Sequence, residues 1–402
     1  MDFSFATKYL NALLRFTPKF LTNTQYEKYI QFWPIFLIGF FFALFVTPII
    51  GKIALKHNIT DKPGERKRGR EFDNPLKAIH EGITPTLGGL AILIPILIVM
   101  PLFFRLDSFT IPIFLALFVL TIGATLDDIF VLPSKVQLIF QAIAAGIITL
   151  SILNISSIPF LDIDLNMLSY NFSLFGIQQS ISLPGDIFLF LWLLVCINAV
   201  KWTAGSPGII EANSLVIFSL IFIISVRYNS MFSSTLSIFA VGGLLIFLLF
   251  ALPPQKIFTG SSGKSVYGFL ICILAIVADT KISTTAMLLI LPLVDFVYVI
   301  VKRYLTYKPK GFGELMKISG LDHFHHQLIK LNLSRKQVVL IETSITLLLG
   351  SFAILTTGAI RYFTLILSLS LGIAFVVYTN IKASKKQEKE QKKQSPESKY
   401  SY

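Results

Sequence analysis

A chain of 402 residues that is 54% hydrophobic and only 14% charged has more apolar surface than a water-soluble domain can bury, so a soluble globular fold is excluded. The net charge of +13 reports membrane orientation and attraction to anionic lipid head groups, and no nucleic-acid partner is needed to explain it. Cys196 and Cys272 both lie in apolar runs, with no disulfide or metal-ligand spacing.

Residues 1–31 are mixed and charged, carry no signal-peptide pattern and read as an amphipathic surface segment. Eleven apolar runs follow, at 32–54, 87–105, 109–126, 136–154, 186–200, 209–226, 232–252, 265–278, 282–301, 337–358 and 360–381. Most approach the roughly 20 residues that a spanning helix needs. The expected fold class is an all-α polytopic membrane protein with about eleven transmembrane helices. Its domain spans 32–381, and a Lys-, Glu- and Gln-rich stretch, 382–402, reads as a disordered basic tail. If the loop after the first helix is inside, 27 of the 35 Lys and Arg residues fall on the inner face. That bias places the N-terminus outside and the C-terminus in the cytoplasm of a multi-pass cell-membrane protein.

The first inner loop ends in Thr84-Pro85-Thr86-Leu87-Gly88-Gly89 at a helix start. Amides there can hold an anion, and a tight turn with close helix packing is the plainer alternative. The third run ends in adjacent carboxylates, Asp127 and Asp128, before a turn at Pro133 and Lys135. The C-terminal end of a helix already carries partial negative charge. A metal, a basic substrate group or a distant Lys, Arg or His is therefore expected to neutralise the pair, unless this is an ordinary solvated helix end. Segment 155–185 alternates apolar and polar residues without Lys or Arg and predicts a small external β-hairpin.

Between two runs, 197–214 combines Asn198, Lys201, Glu211 and Asn213 with the helix breakers Gly205, Pro207 and Gly208. Irregular backbone at membrane depth is tolerated where it is buried in protein or lines a wet cavity, which points to a site. Gly260-Ser261-Ser262-Gly263-Lys264 precedes another run. It can cradle phosphate or serve as a flexible turn, and it lacks P-loop spacing. Asp295 lies inside an apolar run and calls for a functional role or an ion-pair partner such as Arg303. His323, His325 and His326 supply three of the five histidines within four residues, a cluster open to metal ligation, phosphate binding or acid–base work. All these stretches fall on the inner face under the charge-derived topology. They define one composite site suited to anionic phosphate chemistry. Transporter sites instead lie at mid-membrane in paired halves.

With TPTLGG (84–89), LDDIFVLPSK (126–135), NAVKWTAGSPG (198–208), FTGSSGKSVYGF (258–269), PLVDF (292–296) and DHFHHQLIKLNLS (322–334), the chain resembles the polyprenyl-phosphate sugar-1-phosphate transferases over residues 32–380. That family includes the phospho-N-acetylmuramoyl-pentapeptide transferases and the GlcNAc-1-phosphate transferases. The resemblance implies transfer of a sugar-1-phosphate, here N-acetylhexosamine-1-phosphate, from a UDP-sugar to a polyprenyl phosphate with Mg2+ and release of UMP, in cell-envelope glycan synthesis. It implies that Asp127, Asp128, His325 and His326 are the catalytic residues, the two aspartates beside the lipid phosphate and the two histidines beside the nucleotide diphosphate. Lys135, Asn198, Lys201, Gly205, Gly260, Ser261, Lys264, Asp295, Arg303 and His323 complete the expected substrate-binding set, and a homodimer is one assembly such a chain can form. Two positions depart from the pattern: Lys201 stands where the family usually has Asn, and Ser261 where it has Asp. Both are the family's metal-ligand positions. The departures leave Asp127 or Asp128 as the metal's remaining ligands, set a lysine ammonium in the metal's place, and open the alternative of a catalytically silent relative that binds the same substrates as a scaffold or regulator.

Overall fold

The structure is a computed structural model. It describes residues 27–61 and 82–394, apart from 152, 154, 156, 159–162, 175, 280, 281, 316, 317 and 319. Each of the eleven apolar runs becomes helical. They are α1 (Trp33–Lys56), α2 (Leu90–Phe103), α3 (Thr110–Phe130), α4 (Ser134–Thr149), α5 (Gly185–Trp202), α6 (Ile209–Arg227), α7 (Met231–Ala251), α8 (Gly260–Asp279), the pair α9 (Ile282–Leu288) and α10 (Ile290–Tyr307), then, after the short α11 (Phe324–Lys330), α12 (Arg335–Leu355) and α13 (Gly358–Gln394).

Eight of these are long and apolar enough to cross a bilayer, and the α9–α10 pair, bent by 78°, makes a ninth. Helices α2 and α4, with 14 and 16 residues, fall short of the expected spans. At 1.5 Å per residue they rise only about 21–24 Å, against a hydrocarbon core of about 30 Å. The weakest runs in sequence prove full length, because α8 begins five residues earlier, at Gly260, and α5 extends to Trp202.

Helix α8 is the centre of the bundle. It packs against α3, α5, α6 and α7 and is buried almost all round, as expected of a helix whose apolar residues cover its whole circumference. At its C-terminal end, Asp279 accepts from Arg361 Nη1 of α13 and from Thr284 Oγ1 at 2.6 Å. Arg361 Nη2 also reaches the Ala353 carbonyl of α12 at 3.1 Å. Both charges are almost fully buried, so this pair ties three helices together at the end opposite Gly260.

The predicted hairpin is present between α4 and α5. Strands β5 (Asn166–Leu174) and β6 (Ile177–Pro184) pair antiparallel, preceded by the small pair β3 (Ser157–Ile158) and β4 (Ile163–Asp164). A further two-residue pair joins β1 (Thr60–Asp61) to β2 (Thr84–Pro85). The tail expected to be disordered from 382 continues α13 to Gln394. Its Lys, Glu and Gln residues are good helix formers, and Lys386 and Glu390 pair at 3.9 Å one turn apart. Residues 1–26, most of the expected surface segment, lie outside the described residues, as do 62–81 of the first loop and 395–402 of the tail.

Candidate active site

Helix α3 ends at Phe130, with Val131 in a left-handed conformation (φ 53°) and Pro133 leading into α4. Its last turn carries Asp127 and Asp128, both buried. Asp128 accepts the backbone amides of Ser261 at 2.7 Å and Ser262 at 2.9 Å, the first N–H groups of α8. Asp127 accepts the Ser261 hydroxyl at 2.5 Å on one oxygen and Gln137 Nε2 at 2.7 Å on the other. The pair is therefore answered by the positive end of a second helix, which is where a carboxylate is favoured. Alongside the metal, basic substrate group or distant Lys, Arg or His that the sequence allows, the pair thus meets a helix-to-helix clamp. Gly260 makes the approach possible. It adopts φ +71°, and a Cβ there would lie 2.3 Å from Asp128 Oδ2.

Both glycine-containing helix starts are spent internally. Ser261 and Ser262 donate to Asp128, while Gly88 and Gly89 donate to the carbonyls of Phe258 and Thr259 at 2.9 and 2.8 Å. The start of α8 holds the Asp128 carboxylate, and the start of α2 holds two backbone carbonyls. The Gly88-Gly89 turn follows its plainer reading, close packing of α2 against the start of α8.

From the acid pair a polar chain runs along α4 and α5. Gln137 Nε2 donates also to the Leu132 carbonyl at 2.8 Å, which fixes the amide and turns its oxygen to the ammonium of Lys201. One turn on, Asn198 donates to Gln141 Oε1 at 2.7 Å. These residues open onto a cavity of about 310 Å³ lined also by Ser134, Trp202, Arg303, Gly320 and His323. A second, much smaller cavity adjoins it and is lined by Asp127, Gln137, Lys201 and Ser261.

The far wall is built on α10. Asp295, almost fully buried, accepts the Phe324 amide at 2.8 Å and meets His323 Nδ1 at 2.8 Å. Its partner is thus the histidine segment and not Arg303. Arg303 lies 3.5 Å from Asp322 and over the Trp202 ring at 5.5 Å, while Lys302 reaches the other Asp322 oxygen at 3.1 Å. The two lysine and arginine charges outweigh partial burial and hold the Asp322 carboxyl below its ordinary range. His325 is buried behind His323 with parallel rings 5.7 Å apart and rests on Gly205, where a Cβ would come within 1.9 Å of its Nε2. Burial, then the neighbouring His326 and His323, push the His325 imidazole well below its usual range. Burial, then His323 and Lys330, bring His326 down from 6.5 to about 4. At neutral pH both shifts leave these two rings uncharged.

A depressed imidazole has a sign in the stability. Between pH 6.5 and about 4 the unfolded chain binds a proton at position 326 that the folded chain refuses. Stability is therefore full above 6.5 and falls as pH drops through that window. Thermal unfolding of the detergent-solubilised protein should show this decline, and His326→Gln should make it shallower, leaving the part that His325 contributes.

The structure thus brings Asp127, Asp128, Gly260, Ser261, Asn198, Lys201, Arg303 and His323 into one region, with Asp295, Gly205, His325 and His326 supporting it from behind. It does not bring in Lys135, exposed on the first turn of α4, or Lys264, which is half-buried, interacts electrostatically with Glu211 and does not line the cavity. Glu211 takes the Thr259 hydroxyl and Asn213 takes that of Thr346 at 3.2 Å, a buried polar seam apart from the cavity. Sequence reading passed over Gln137, Gln141 and Trp202. Two glutamines four residues apart in an apolar run were the available signal, since they share one helix face.

The residues do not fit Mg2+. All four oxygens of Asp127 and Asp128 already accept donors, two of them backbone amides of α8. The other two positions offer an ammonium and a hydroxyl that itself donates to Asp127. Among the described residues no group of three or more His, Cys, Asp or Glu side chains is placed to hold a metal ion.

The profile of glycosyl transferase family 4 matches residues 110–279, the stretch from the acid-bearing helix to the end of α8. The chain is 26% identical to a probable undecaprenyl-phosphate N-acetylglucosaminyl 1-phosphate transferase of Bacillus subtilis over 88% of this chain and 92% of that one. It is 30% identical to a phospho-N-acetylmuramoyl-pentapeptide-transferase of Halalkalibacterium halodurans over 61% of this chain and 75% of that one. To the undecaprenyl-phosphate alpha-N-acetylglucosaminyl 1-phosphate transferase of Escherichia coli K12 it is 26% identical, covering 80% and 82%. The chain belongs to glycosyl transferase family 4, the membrane family of polyprenyl-phosphate sugar-1-phosphate transferases.

Proposed function

We propose that this protein transfers N-acetylhexosamine-1-phosphate from a UDP-sugar to a polyprenyl phosphate at the cytoplasmic membrane face, for cell-envelope glycan synthesis. One observation carries the reading. Four segments far apart in the chain, 127–141, 198–202, 261–265 and 303–323, meet around two adjoining cavities whose described lining includes the cations Lys201 and Arg303 beside a buried acid pair. In the reaction an oxygen of the lipid phosphate bonds to the β-phosphorus of the donor. The bond from that phosphorus to the bridging oxygen breaks, and the electron pair leaves with UMP. Such transfers need positioning and charge stabilisation more than covalent help from the protein. Lys201 and Arg303 supply the charge, and Asn198, Gln141 and His323 supply hydrogen bonds. Asp127 and Asp128 act as positioning residues: through Gln137 and the start of α8 they fix where Lys201 and Ser261 stand.

The occupied carboxylate oxygens favour a second reading, in which the chain binds both substrates and turns neither over. UMP release from a panel of UDP-sugars, with purified protein and polyprenyl phosphate, separates the two. Release with one N-acetylhexosamine donor, dependent on the lipid, is expected. Lipid binding with no release from any donor would leave only the silent reading.

A further inference from the structure

Among the described residues, the cavity of about 310 Å³ presents two cations and no carboxylate. Its lining is Ser134, Gln137, Gln141, Asn198, Lys201, Trp202, Arg303, Gly320 and His323 with two aliphatic side chains. A protein that binds phosphate through Mg2+ contributes one or two carboxylates to the ion and leaves its remaining positions to water and substrate. The carboxylate at the adjoining cavity is Asp127, and both of its oxygens are engaged, by Gln137 and Ser261.

The cations themselves are held in place. Gln137 cannot rotate its amide without losing Asp127 and the Leu132 carbonyl, so its oxygen marks the position of the Lys201 ammonium. Arg303 lies over the Trp202 ring at 5.5 Å and 3.5 Å from Asp322, which fixes its guanidinium at the cavity wall. A planar fork and a point charge lining one cavity suit a pair of linked phosphates, and neither needs a metal to do so.

We infer that this cavity binds a nucleoside diphosphate directly through Lys201 and Arg303, with no divalent ion bridging protein and phosphate. The inference rests on the reading of a UDP-linked donor and adds the manner in which that donor is held.

The test is equilibrium binding of UDP to the purified full-length protein in detergent, in excess EDTA and in millimolar Mg2+. Affinities that agree within about twofold are expected. Lys201→Met should weaken binding about tenfold in both conditions, the loss of one charge-assisted hydrogen bond, while Lys201→Arg should retain most of it. Binding that collapses in EDTA and returns with Mg2+ would overturn the inference and leave the donor reading standing. So would a monodisperse Lys201→Met protein that binds UDP like the parent. Binding in neither condition would overturn the inference together with the donor reading.

Discussion

Asp128→Ala should cost both fold stability and activity. The substitution strands the amides of Ser261 and Ser262, which donate to Asp128 at 2.7 and 2.9 Å inside the bundle. A hydrogen bond to a charged partner contributes about 1.5–3 kcal/mol, so losing two amounts to roughly 3–6 kcal/mol. The first turn of α8 also carries Ser261, whose hydroxyl holds Asp127, so the loss spreads to Gln137 and Lys201. Asp128→Asn keeps one acceptor and should fall between parent and alanine variant. Thermal unfolding in detergent, read beside UMP release, checks the ordering. A fully stable Asp128→Ala protein would show that the clamp contributes little.

The second large effect lies at the other end of the same helix. Arg361→Met takes from the buried Asp279 the guanidinium that donates to it. Removing one partner of a buried ion pair costs about 3–5 kcal/mol, because the other charge stays in a medium that cannot solvate it. Replacing both charges in Arg361→Met/Asp279→Leu should recover much of the loss, since an apolar pair of similar volume has no charge to strand. The yield of monodisperse protein and its unfolding temperature report both variants. Activity of the survivors should stay near that of the parent, because the pair lies at the far end of α8 from the site. The far end of α8 therefore bears on stability alone, whereas its N-terminus, which anchors Asp127 and Asp128, bears on both stability and chemistry.

How far these features were legible depended on the kind of signal. Apolar runs marked every long helix, and period-two alternation marked the hairpin, because both follow from local pattern. Unbroken apolarity could not reveal the 78° bend between α9 and α10, nor that α2 and α4 stop short. Among site residues, Asp127, Asp128, Lys201 and His323 stood out because charge and imidazole are conspicuous in an apolar chain. Their partners did not. Asp128 meets residues 133 and 134 positions away, His323 meets Asp295 across 28, and Arg361 meets Asp279 across 82. Sequence spacing gives no access to such pairings.

Two stretches left open by the sequence meet for one physical reason. The Gly260–Lys264 stretch reads as a phosphate cradle or a flexible turn, and the acid pair as a site in want of a cation or a solvated helix end. Each is the other's partner in the fold, since helix N-terminal amides are as well satisfied by a carboxylate as by a phosphate. Gln137 was invisible for the opposite reason. It carries no charge, yet its amide joins acid to base, and the placement of Lys201 depends on it.

Labelled donor tests the central claim most directly. UDP-N-acetylglucosamine carrying radioactive phosphorus at the β-position, and its N-acetylgalactosamine counterpart, would be incubated with the protein and polyprenyl phosphate in excess EDTA. The account predicts label in the solvent-extractable lipid and unlabelled UMP in the aqueous phase. Label that remains in water with either donor in EDTA, and moves to lipid only when Mg2+ is restored, would contradict it.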